Sequence, residues 1–230
     1  MEHIVILTGA GVSAESGLGT FRDAGGLWSR YSLEDVATPQ GYARDPELVL
    51  DFYNARRDNC AAATPNAAHA ALARLARAFP GRVSLITQNI DDLHERGGSE
   101  GVIHMHGELM RALCAGCGHQ WAWTGPMTQS HACPACGAAG GVRPDVVWFG
   151  EMPYHMAEIG ALLESATLFV AIGTSGAVYP AAGFVAEVGL RGVETLEINL
   201  EPSDVADQFD RRLLGPASEV VPDWVAGLLA

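Results

Sequence analysis

Four of the five cysteines lie in two pairs with metal-ligand spacing. Cys114 and Cys117 form one C-x₂-C pair, and Cys133 and Cys136 form a second pair fifteen residues later. Two such pairs supply four thiolates in a tetrahedron, which is the donor set of a structural zinc site. Because four sulfurs leave no open coordination position, this zinc is not expected to bind substrate or activate water.

Two histidines lie near these cysteines in the sequence, and one cysteine lies far from them. His119 and His131 are potential substitute ligands, but the complete cysteine set favours a bystander role for both. Cys60 is interpreted as a residue on a helix face with no function. Clustered cysteines in a reducing compartment indicate metal binding rather than disulfide bonds.

A glycine-rich segment, Gly9 to Ala14, directly follows the first apolar run of the chain. It matches the alanine variant of the G-x-G-x-x-G dinucleotide pattern, in which glycines let backbone N–H groups approach a pyrophosphate at a helix N-terminus. The alternative is a turn that only packs a strand against a helix. Glu34 and Asp35, about twenty residues on, lie in an expected loop rather than at the end of a second strand, which disfavours an ordinary dehydrogenase.

A third polar group contains the candidate general base. Residues 88–91 (Gln-Asn-Ile-Asp) follow an apolar run, at the end of a strand where α/β sheets bind ligands, and their side chains suit ribose hydroxyls and a carboxamide. His106, followed by a glycine, is the candidate base because imidazole titrates near neutrality. His94 and His104 are interpreted as histidines without a chemical role.

The chain contains four short apolar runs, and two of them directly precede the polar groups described above. They cover residues 4–8, 83–87, 168–173 and 195–200. Such runs, ending in polar or glycine-bearing loops and separated by helical stretches, are typical of the central strands of an α/β protein. We therefore expect a doubly wound parallel sheet.

One helix between these strands has clear start and stop signals. Thr64 is predicted to cap it and Pro65 to occupy its first position, while an Ala- and Leu-rich run continues to Phe79. Pro80 and Gly81 are expected to end it.

Two segments break the alternation of strand and helix. Residues 30–60 are predicted to form a loop and then a helix opened by Asp45-Pro46. Residues 110–141 are rich in glycine and cysteine with weak periodicity. We expect these two insertions to build one small module beside the sheet.

Composition excludes several classes of protein. The 230 residues are 48% hydrophobic and 18% charged, which allows a sizeable core and argues against disorder. The net charge of −13 repels nucleic-acid phosphates, so no nucleic-acid partner is expected. No run is long and apolar enough for a membrane span, and no export signal is recognised. We expect a cytoplasmic monomer.

Seven segments together resemble the sirtuin family, and they occur in family order over nearly the whole chain. The segments are Gly9–Trp28, Gln88–Asp91, His104–Glu108, the four paired cysteines, Val146–Glu151, Gly173–Ser175 and Asn199–Glu201. In subtype the chain resembles the bacterial class III sirtuins, which are related to the mitochondrial desuccinylase and demalonylase.

The resemblance implies a Rossmann-like NAD-binding large domain and a smaller domain made of a helical insertion and a Cys₄ zinc ribbon. The large domain would comprise residues 1–30, 62–109 and 142–230. The helical part of the small domain would be residues 31–61, and the zinc-ribbon part residues 110–141. NAD and an acyl-lysine would meet in the cleft between the domains.

The resemblance also implies which residues contact NAD. The cofactor loop would contain Gly9, Ala10, Gly11, Glu15, Thr20, Phe21, Arg22 and Trp28. The nicotinamide ribose and carboxamide would meet Gln88, Asn89, Ile90 and Asp91. The phosphates would meet Gly173, Thr174 and Ser175, and the adenosine would meet Asn199, Leu200, Glu201 and Ala217.

By the same resemblance, His106 accepts a proton from a ribose hydroxyl. The reaction would remove acetyl, succinyl or malonyl groups from lysine and release nicotinamide and O-acyl-ADP-ribose. The acylated protein or peptide would bind as an extended strand, which tolerates varied peptide sequences. The groove would contain Val147, Trp148, Phe149 and Gly150.

Tyr53 and Arg56 stand three residues apart on a predicted helix and therefore share a face. A guanidinium and a phenol suit a carboxylate at the end of an acyl chain. From the residues alone, an exposed helix with solvated Arg56 and Arg57 is favoured. Together with the resemblance, the pair predicts malonyl-, succinyl- or glutaryl-lysine as substrates besides acetyl-lysine.

Two other functions remain open at this point. Mono-ADP-ribosyl transfer would use the same cofactor and cleft but would not need Tyr53 and Arg56. A binding module would use the zinc ribbon as a nucleic-acid or protein adaptor, although the acidity of the chain and its full set of cofactor residues disfavour this.

Overall fold

A computed structural model describes residues 2–19 and 31–230, and the strands within those ranges form two sheets. The strands are β1 (His3–Thr8), β2 (Arg82–Thr87), β3 (Ile103–His104), β4 (Gly107–Cys114), β5 (Gln120–Ala122), β6 (Val142–Val146), β7 (Leu168–Ile172), β8 (Glu194–Asn199) and β9 (Arg211–Leu214). The α-helices are α1 (Gly11–Ala14), α2 (Leu33–Val36), α3 (Pro39–Arg44), α4 (Pro46–Ala62), α5 (Ala67–Ala78), α6 (Leu93–Arg96), α7 (Met156–Ser165), α8 (Phe184–Gly189) and α9 (Ala217–Leu228).

The larger sheet has six parallel strands in the order β3-β2-β1-β7-β8-β9. The chain builds outward from β1 on one side and then returns to β7 on the other. Such a reversal is the topological switch point of a Rossmann-like sheet, where ligands bind outside the carboxyl ends of the strands. The predicted doubly wound parallel sheet is confirmed, and the four predicted strands lie within one residue of the observed ones.

Helices cover both faces of this sheet. Since successive side chains of β1 point to opposite faces, they pack into two separate cores. Ile4 and Ile6 pack in the core with α5 and α9. Val5 and Leu7 pack in the core with α7 and α8. Every residue of β1 is buried, as expected for a central strand covered on both faces.

The smaller sheet is antiparallel, with the order β5-β4-β6, and it carries the first cysteine pair. Helix α4 packs on it through Leu50, which lies in one core with Cys114, Cys133 and Met127. One turn further along α4, the Asn54 amide donates to the Met127 carbonyl at 3.0 Å and accepts from the Met127 N–H at 2.8 Å. The helical insertion and the cysteine-rich insertion therefore contact each other directly, as the sequence predicts.

The start of α4 is predicted correctly, whereas the start of α5 is not. Asp45 caps α4 by accepting from the Leu48 N–H at 3.0 Å. Helix α5 is capped by Asn66, two residues after the predicted cap Thr64: Asn66 accepts from Ala68 at 2.9 Å, and the His69 ring accepts from the Asn66 N–H. Asn is at least as good a cap as Thr, and only Asn66 has a buried partner that can return the bond.

The first insertion contains more helix than expected. Glu34 and Asp35 lie in the one-turn helix α2, and α3 follows before α4 begins. Neither acidic residue ends a strand, which agrees with the argument against an ordinary dehydrogenase. Among the residues described, no helix is both long enough and apolar enough to cross a membrane.

Candidate functional site

A cavity of about 1040 Å³ opens at the carboxyl ends of β1, β2, β7 and β8 and extends to α4 and the segment after β6. Its walls include every described residue that the sequence assigned to NAD: Gly9, Ala10, Gly11, Glu15, Gln88, Asn89, Ile90, Asp91, His106, Gly173, Thr174, Ser175, Asn199, Leu200, Glu201 and Ala217. The predicted substrate residues Tyr53, Arg56, Val147, Trp148, Phe149 and Gly150 line the same space. Thr20, Phe21, Arg22 and Trp28 lie outside the described residues.

The glycine turns after β1 and β7 interlock at the switch point. The Gly9 N–H donates to the Ile172 carbonyl at 2.9 Å, and the Gly11 N–H donates to the Gly173 carbonyl at 2.8 Å. A Cβ atom on Gly11 would lie 2.7 Å from the Gly173 Cα, and one on Gly173 would lie 2.4 Å from the Val12 nitrogen. Gly173 also has φ +63°, a conformation that side chains disfavour.

These contacts refine the interpretation of the glycine motif. The two glycine N–H groups already donate to the neighbouring turn, so any phosphate here must use other donors. The helix that follows, α1, is only one turn long, so it contributes less dipole than the pattern suggests. The motif packs two turns together and also lines the cavity, so its packing role is observed and its contact with NAD stays a prediction.

Polar side chains beneath these turns form a buried network. The Asn89 amide donates to the Ser13 hydroxyl at 3.2 Å, and the Ser13 hydroxyl lies 3.5 Å from an Asp91 oxygen. The Leu93 N–H donates to the same carboxylate at 3.1 Å. Burial raises the pKa of Asp91, against the lowering effect of these hydrogen bonds. The network fixes Asn89 and Asp91, and Ser13, a member that the sequence did not single out, joins them.

His106 follows β3, and its ring faces the cavity with a defined tautomer. The ring Nδ1 lies 3.0 Å from the Gln88 carbonyl oxygen, which can only accept, so Nδ1 carries the proton. Nε2 then has a free lone pair. Burial lowers the pKa of His106 and outweighs the raising effect of the Gln88 bond. The residue is therefore a neutral base at pH 7.

The four paired cysteines meet as predicted. All their Sγ atoms lie within 4.8 Å of one another, with 3.8 Å between Cys114 and Cys136 and 3.7 Å between Cys117 and Cys133. A tetrahedron with Zn–S bonds of about 2.3 Å has edges of about 3.8 Å, so the donors fit Zn²⁺. In the described part of the chain, no other group of such side chains is arranged to hold a metal ion.

The two nearby histidines are engaged elsewhere, as the complete cysteine set predicts. His119 stacks on Trp121 with ring centroids 5.3 Å apart. The His131 ring accepts from the Thr128 N–H at 3.0 Å.

Comparison with known proteins identifies the family of this chain. The sequence profile of the Sir2 family matches residues 9–180. The chain belongs to the Sir2 family. It is 59% identical to the NAD-dependent protein deacylase of Caulobacter vibrioides, covering 99% of this chain and 97% of that protein. It is 55% identical to the NAD-dependent protein deacylase of Escherichia coli, covering 99% and 82% respectively.

A solved structure of a Sir2 homologue in complex with NAD superposes on the chain with a TM-score of 0.90. It shares 41% sequence identity and covers 98% of this chain and 89% of that one. The fold and the four-cysteine cluster of this Sir2 family member thus agree with the resemblance derived from its sequence.

The α4 face of this Sir2 family member contradicts the alternative of a solvated helix. Tyr53 is 1% exposed, and the Arg56 guanidinium lies 5.8 Å from the centroids of the Phe52 and Tyr53 rings. Burial raises the pKa of Tyr53, so the phenol is neutral. Arg57 is also buried and donates to Asn54 on the side of α4 that faces the antiparallel sheet. Of the described arginines, only Arg56 lines the cavity.

Cys60 lies on a helix face, as predicted, and that face is part of the cavity wall. Cys60 and Asn59 line the cavity beside Arg56, because positions three and four residues on share its helix face. The thiol lies 3.5 Å from an Asp92 oxygen, and burial raises its pKa to about 12. Cys60 therefore contributes a small, protonated side chain to the wall. The helical spacing from Arg56 was the signal that could have identified both residues.

Trp148 lines the cavity, and its contact with a peptide stays a prediction. Its side chain is 2% exposed and turns inward toward Tyr53 on α4. The neighbouring Phe149 is 44% exposed at the cavity mouth. The strand ends at Val146, and Phe149 already lies in the turn that follows.

Glu15 has a role that the glycine motif did not suggest. Its carboxylate accepts from the Ser218 N–H at 2.9 Å and from the Ser218 hydroxyl at 2.7 Å. It therefore fixes the first turn of α9, where Ala217 lines the cavity. Asn199 acts similarly on the β7 turn by donating to the Thr174 carbonyl at 2.7 Å.

Two buried histidines below the cavity are expected to make stability fall in acid. Burial lowers the pKa of His69 to about 4 and that of His94 to about 3, whereas both titrate near 6.5 when unfolded. The unfolded chain therefore binds more protons below pH 6.5, and stability falls as pH decreases toward 4. The slope of unfolding free energy against pH, measured by urea denaturation from pH 7 to 4.5, is expected to be positive.

At about 1.4 kcal/mol for each unit of pKa difference, the pair is expected to cost several kcal/mol over that range. His104 acts in the opposite direction: burial lowers its pKa, but Glu95 at 2.8 Å, together with Glu108 and the Asn89 carbonyl, raises it more. Replacing His94 by Gln is expected to flatten the slope, with exposed His119→Gln as the control. An unchanged slope in His94→Gln would contradict this assignment.

Zinc removal is expected to destabilise the antiparallel sheet. A bound zinc would be held by Cys114, Cys117, Cys133 and Cys136 and would link the end of β4 to the 133–136 turn, whereas four thiolates without a cation would repel one another. Chelation is expected to lower Tm and to alter the fluorescence of Trp121 and Trp123, which pack on this module. Cys60→Ser is the control and is expected to retain stoichiometric zinc. An unchanged Tm after verified metal loss would remove the structural role.

Proposed function

We propose that this chain is an NAD-dependent protein-lysine deacylase that removes acetyl and also succinyl or malonyl groups, releasing nicotinamide and O-acyl-ADP-ribose. The observation that carries the proposal is that a neutral imidazole, with its Nε2 lone pair free, shares one cavity with the switch-point turns and with Tyr53 and Arg56. Relatives that are 55–59% identical over nearly the whole chain are named NAD-dependent protein deacylases.

The cavity fits NAD by its position and its volume. Its 1040 Å³ is at the upper end of the range for small-molecule sites, which suits a dinucleotide and an acyl-lysine together. When bound, NAD supplies an activated ribose carbon and the hydroxyl that receives the acyl group. Gly173 to Ser175 and the turn after β8 would hold its phosphates and adenosine. Asn89 and Asp91, fixed by Ser13, would hold the nicotinamide end.

His106 is the catalytic base in this proposal. Its Nδ1–H is held by the Gln88 carbonyl, which aims Nε2 into the cavity and keeps the tautomer constant. Nε2 accepts a proton from a ribose hydroxyl, and the Gln88 carbonyl supports the positive charge that results. A base of this kind contributes about 10²–10⁴-fold to the rate, and positioning supplies much of the rest.

Arg56 and Tyr53 set the acyl preference. A carboxylate at the end of a succinyl or malonyl chain would pair with the guanidinium and accept from the phenol, since both side chains line the cavity, Tyr53 buried and Arg56 half-buried. An acetyl group fills less of this pocket and carries no carboxylate for the guanidinium to bind. Acidic acyl groups are therefore the preferred substrates, and deacetylation is retained.

The acylated peptide would lie across the cavity mouth as an extended strand. Phe149 and Tyr179 are exposed there and would contact its side chains. The N–H groups of residues 147 to 149 already donate to His106, Glu151 and Ala37. The peptide would therefore pair through its own N–H groups with the carbonyls of this segment.

The division into domains is part of the proposal. Residues 31–61 and 110–141 would move as the small domain, and the remaining segments would form the large domain. The Asn54–Met127 pair and the Leu50 contact support a joint small domain. The antiparallel sheet extends from residue 107 to residue 146, so its ends would form the hinge. Monomeric state and cytoplasmic location stay predictions.

The test is incubation with NAD and a panel of acetyl-, succinyl-, malonyl- and glutaryl-lysine peptides of one sequence, read by mass. We expect loss of each acyl mass with stoichiometric nicotinamide release, fastest for the acidic acyl groups. Controls omit NAD or replace the acyl-lysine by arginine. An ADP-ribose mass added to peptide or protein, without acyl loss, would instead establish ADP-ribosyl transfer. NAD left unconsumed with every peptide would refute the proposal.

A further inference from the structure

Trp148 forms a buried hydrogen bond to the hydroxyl oxygen of Tyr53. The indole Nε1–H donates to Tyr53 Oη at 3.0 Å, and both side chains are at least 98% buried. An indole N–H can only donate, so Oη is the acceptor in this bond. The single hydrogen of the phenol must then point in another direction.

Two further contacts hold the indole in place. The Arg143 guanidinium lies 3.8 Å from the centroid of the Trp148 ring, and a cation over the ring makes the N–H a stronger donor. Glu151 accepts from Arg143 at 2.9 Å and from the Trp148 backbone N–H at 2.8 Å. The Glu151 carboxylate thus fixes both the backbone of Trp148 and the guanidinium that covers its ring.

The direction left to the Tyr53 hydrogen is the cavity, whose wall there also carries Arg56. Among the described residues, Tyr53 Oη has no hydrogen-bond partner other than the indole. Because its pKa is raised by burial, the phenol keeps its hydrogen and can donate it. Without the indole N–H, the hydroxyl would be free to rotate and to act as an acceptor, which repels a carboxylate.

We propose that Trp148 is a specificity-determining positioning residue: by donating to Tyr53 Oη, it commits the Tyr53 O–H to donation toward a carboxylate at the end of the acyl chain. This inference rests on the proposed function, since it concerns the acyl pocket of that reaction. Trp148 itself does not touch the reacting atoms in this scheme. It acts through the orientation of one hydroxyl.

The test compares the wild type with Trp148→Phe, which removes the N–H but keeps an aromatic ring beneath Arg143. The ratio of kcat/KM for a succinyl-lysine peptide to that for the matching acetyl-lysine peptide is expected to fall about tenfold, as for the loss of one hydrogen bond to a charged group. The change is expected mainly in KM for the succinyl peptide. Trp224→Phe, on α9 and outside the cavity lining, is the control and keeps the ratio.

A double-mutant cycle separates this role from a general packing effect. In a Tyr53→Phe background the hydroxyl is gone, so Trp148→Phe is expected to cause no further change in the ratio. Equal losses on both peptides, or a full additional loss in the Tyr53→Phe background, would overturn the inference.

A second variant covers the case in which Trp148→Phe does not fold. Benzothienylalanine at position 148 keeps the indole shape without the N–H, and it is expected to give the same tenfold fall. A wild type that removes acetyl but no acidic acyl groups would overturn the acidic-acyl proposal and this inference with it. A wild type that removes both, with an unaltered ratio in the variants, would overturn this inference alone.

Discussion

Replacing His106 by Ala is expected to lower the rate of deacylation by about 10²–10⁴-fold. The ring is the only described imidazole in the cavity wall, and its Nε2 is left free by the bond from Nδ1 to Gln88. Without it, the described part of the cavity wall retains the carboxylates of Glu15, Asp91, Glu151 and Glu201 but no imidazole. The measurement is kcat on an acyl-lysine peptide at saturating NAD.

The matched measurements separate chemistry from binding. NAD binding to His106→Ala is expected to remain measurable by calorimetry, because the turns after β1, β7 and β8 are untouched. His119→Ala, on the zinc module, is the control and keeps full activity. A kcat of His106→Ala equal to that of the wild type would contradict the proposed mechanism.

The same residue sets the expected pH dependence of the wild type. Because burial lowers the pKa of His106, its neutral form predominates at pH 7 and is lost only as pH falls below 6.5. The acid limb of kcat/KM is therefore expected below pH 6.5. An acid limb centred above pH 7 would point to another base.

The second large effect is expected from Arg56→Met, which should reduce desuccinylation about 100-fold more than deacetylation. Leaving a shielded carboxylate without its cation costs roughly 2–5 kcal/mol, whereas an acetyl group loses no charged partner. Met keeps most of the volume and removes the charge. The measurement is kcat/KM for succinyl- and acetyl-lysine peptides of one sequence.

Arg44→Met provides the control, since Arg44 is an exposed arginine on α3 that pairs with Asp35. It is expected to alter neither activity. Arg57 is a poorer control because it is buried and donates to Asn54, so its loss would also disturb α4. Equal losses on the two peptides in Arg56→Met would remove the acidic-acyl proposal while leaving the deacylase proposal standing.

Much of the fold follows from local patterns in the sequence. The strands were predictable because a parallel strand covered on both faces has a nearly continuous apolar run, as residues 4–7 of β1 do. The metal cluster was predictable because four thiolates at this spacing have few other uses in a folded chain. The glycine turns were predictable in place, although their hydrogen bonds to each other were not.

What escaped prediction depends on contacts between residues distant in sequence. The cap of α5 depends on His69 returning a bond, which a pattern centred on Thr64 and Pro65 does not contain. The inward turn of Trp148 depends on Tyr53, 95 residues earlier. Ser13 belongs to the site only because Asn89 and Asp91 come from another strand. None of these contacts can be predicted from residues that are neighbours in the sequence.

The interlocked turns after β1 and β7 have a consequence for how this crevice can vary. A side chain at Gly11 or at Gly173 would collide with the backbone of the other turn, whichever rotamer it adopted. Neither glycine can therefore be replaced by itself, because a side chain at either position would require a different spacing between β1 and β7. The width of the crevice is thus a property of the sheet itself, set when β1 and β7 pair and before any ligand arrives.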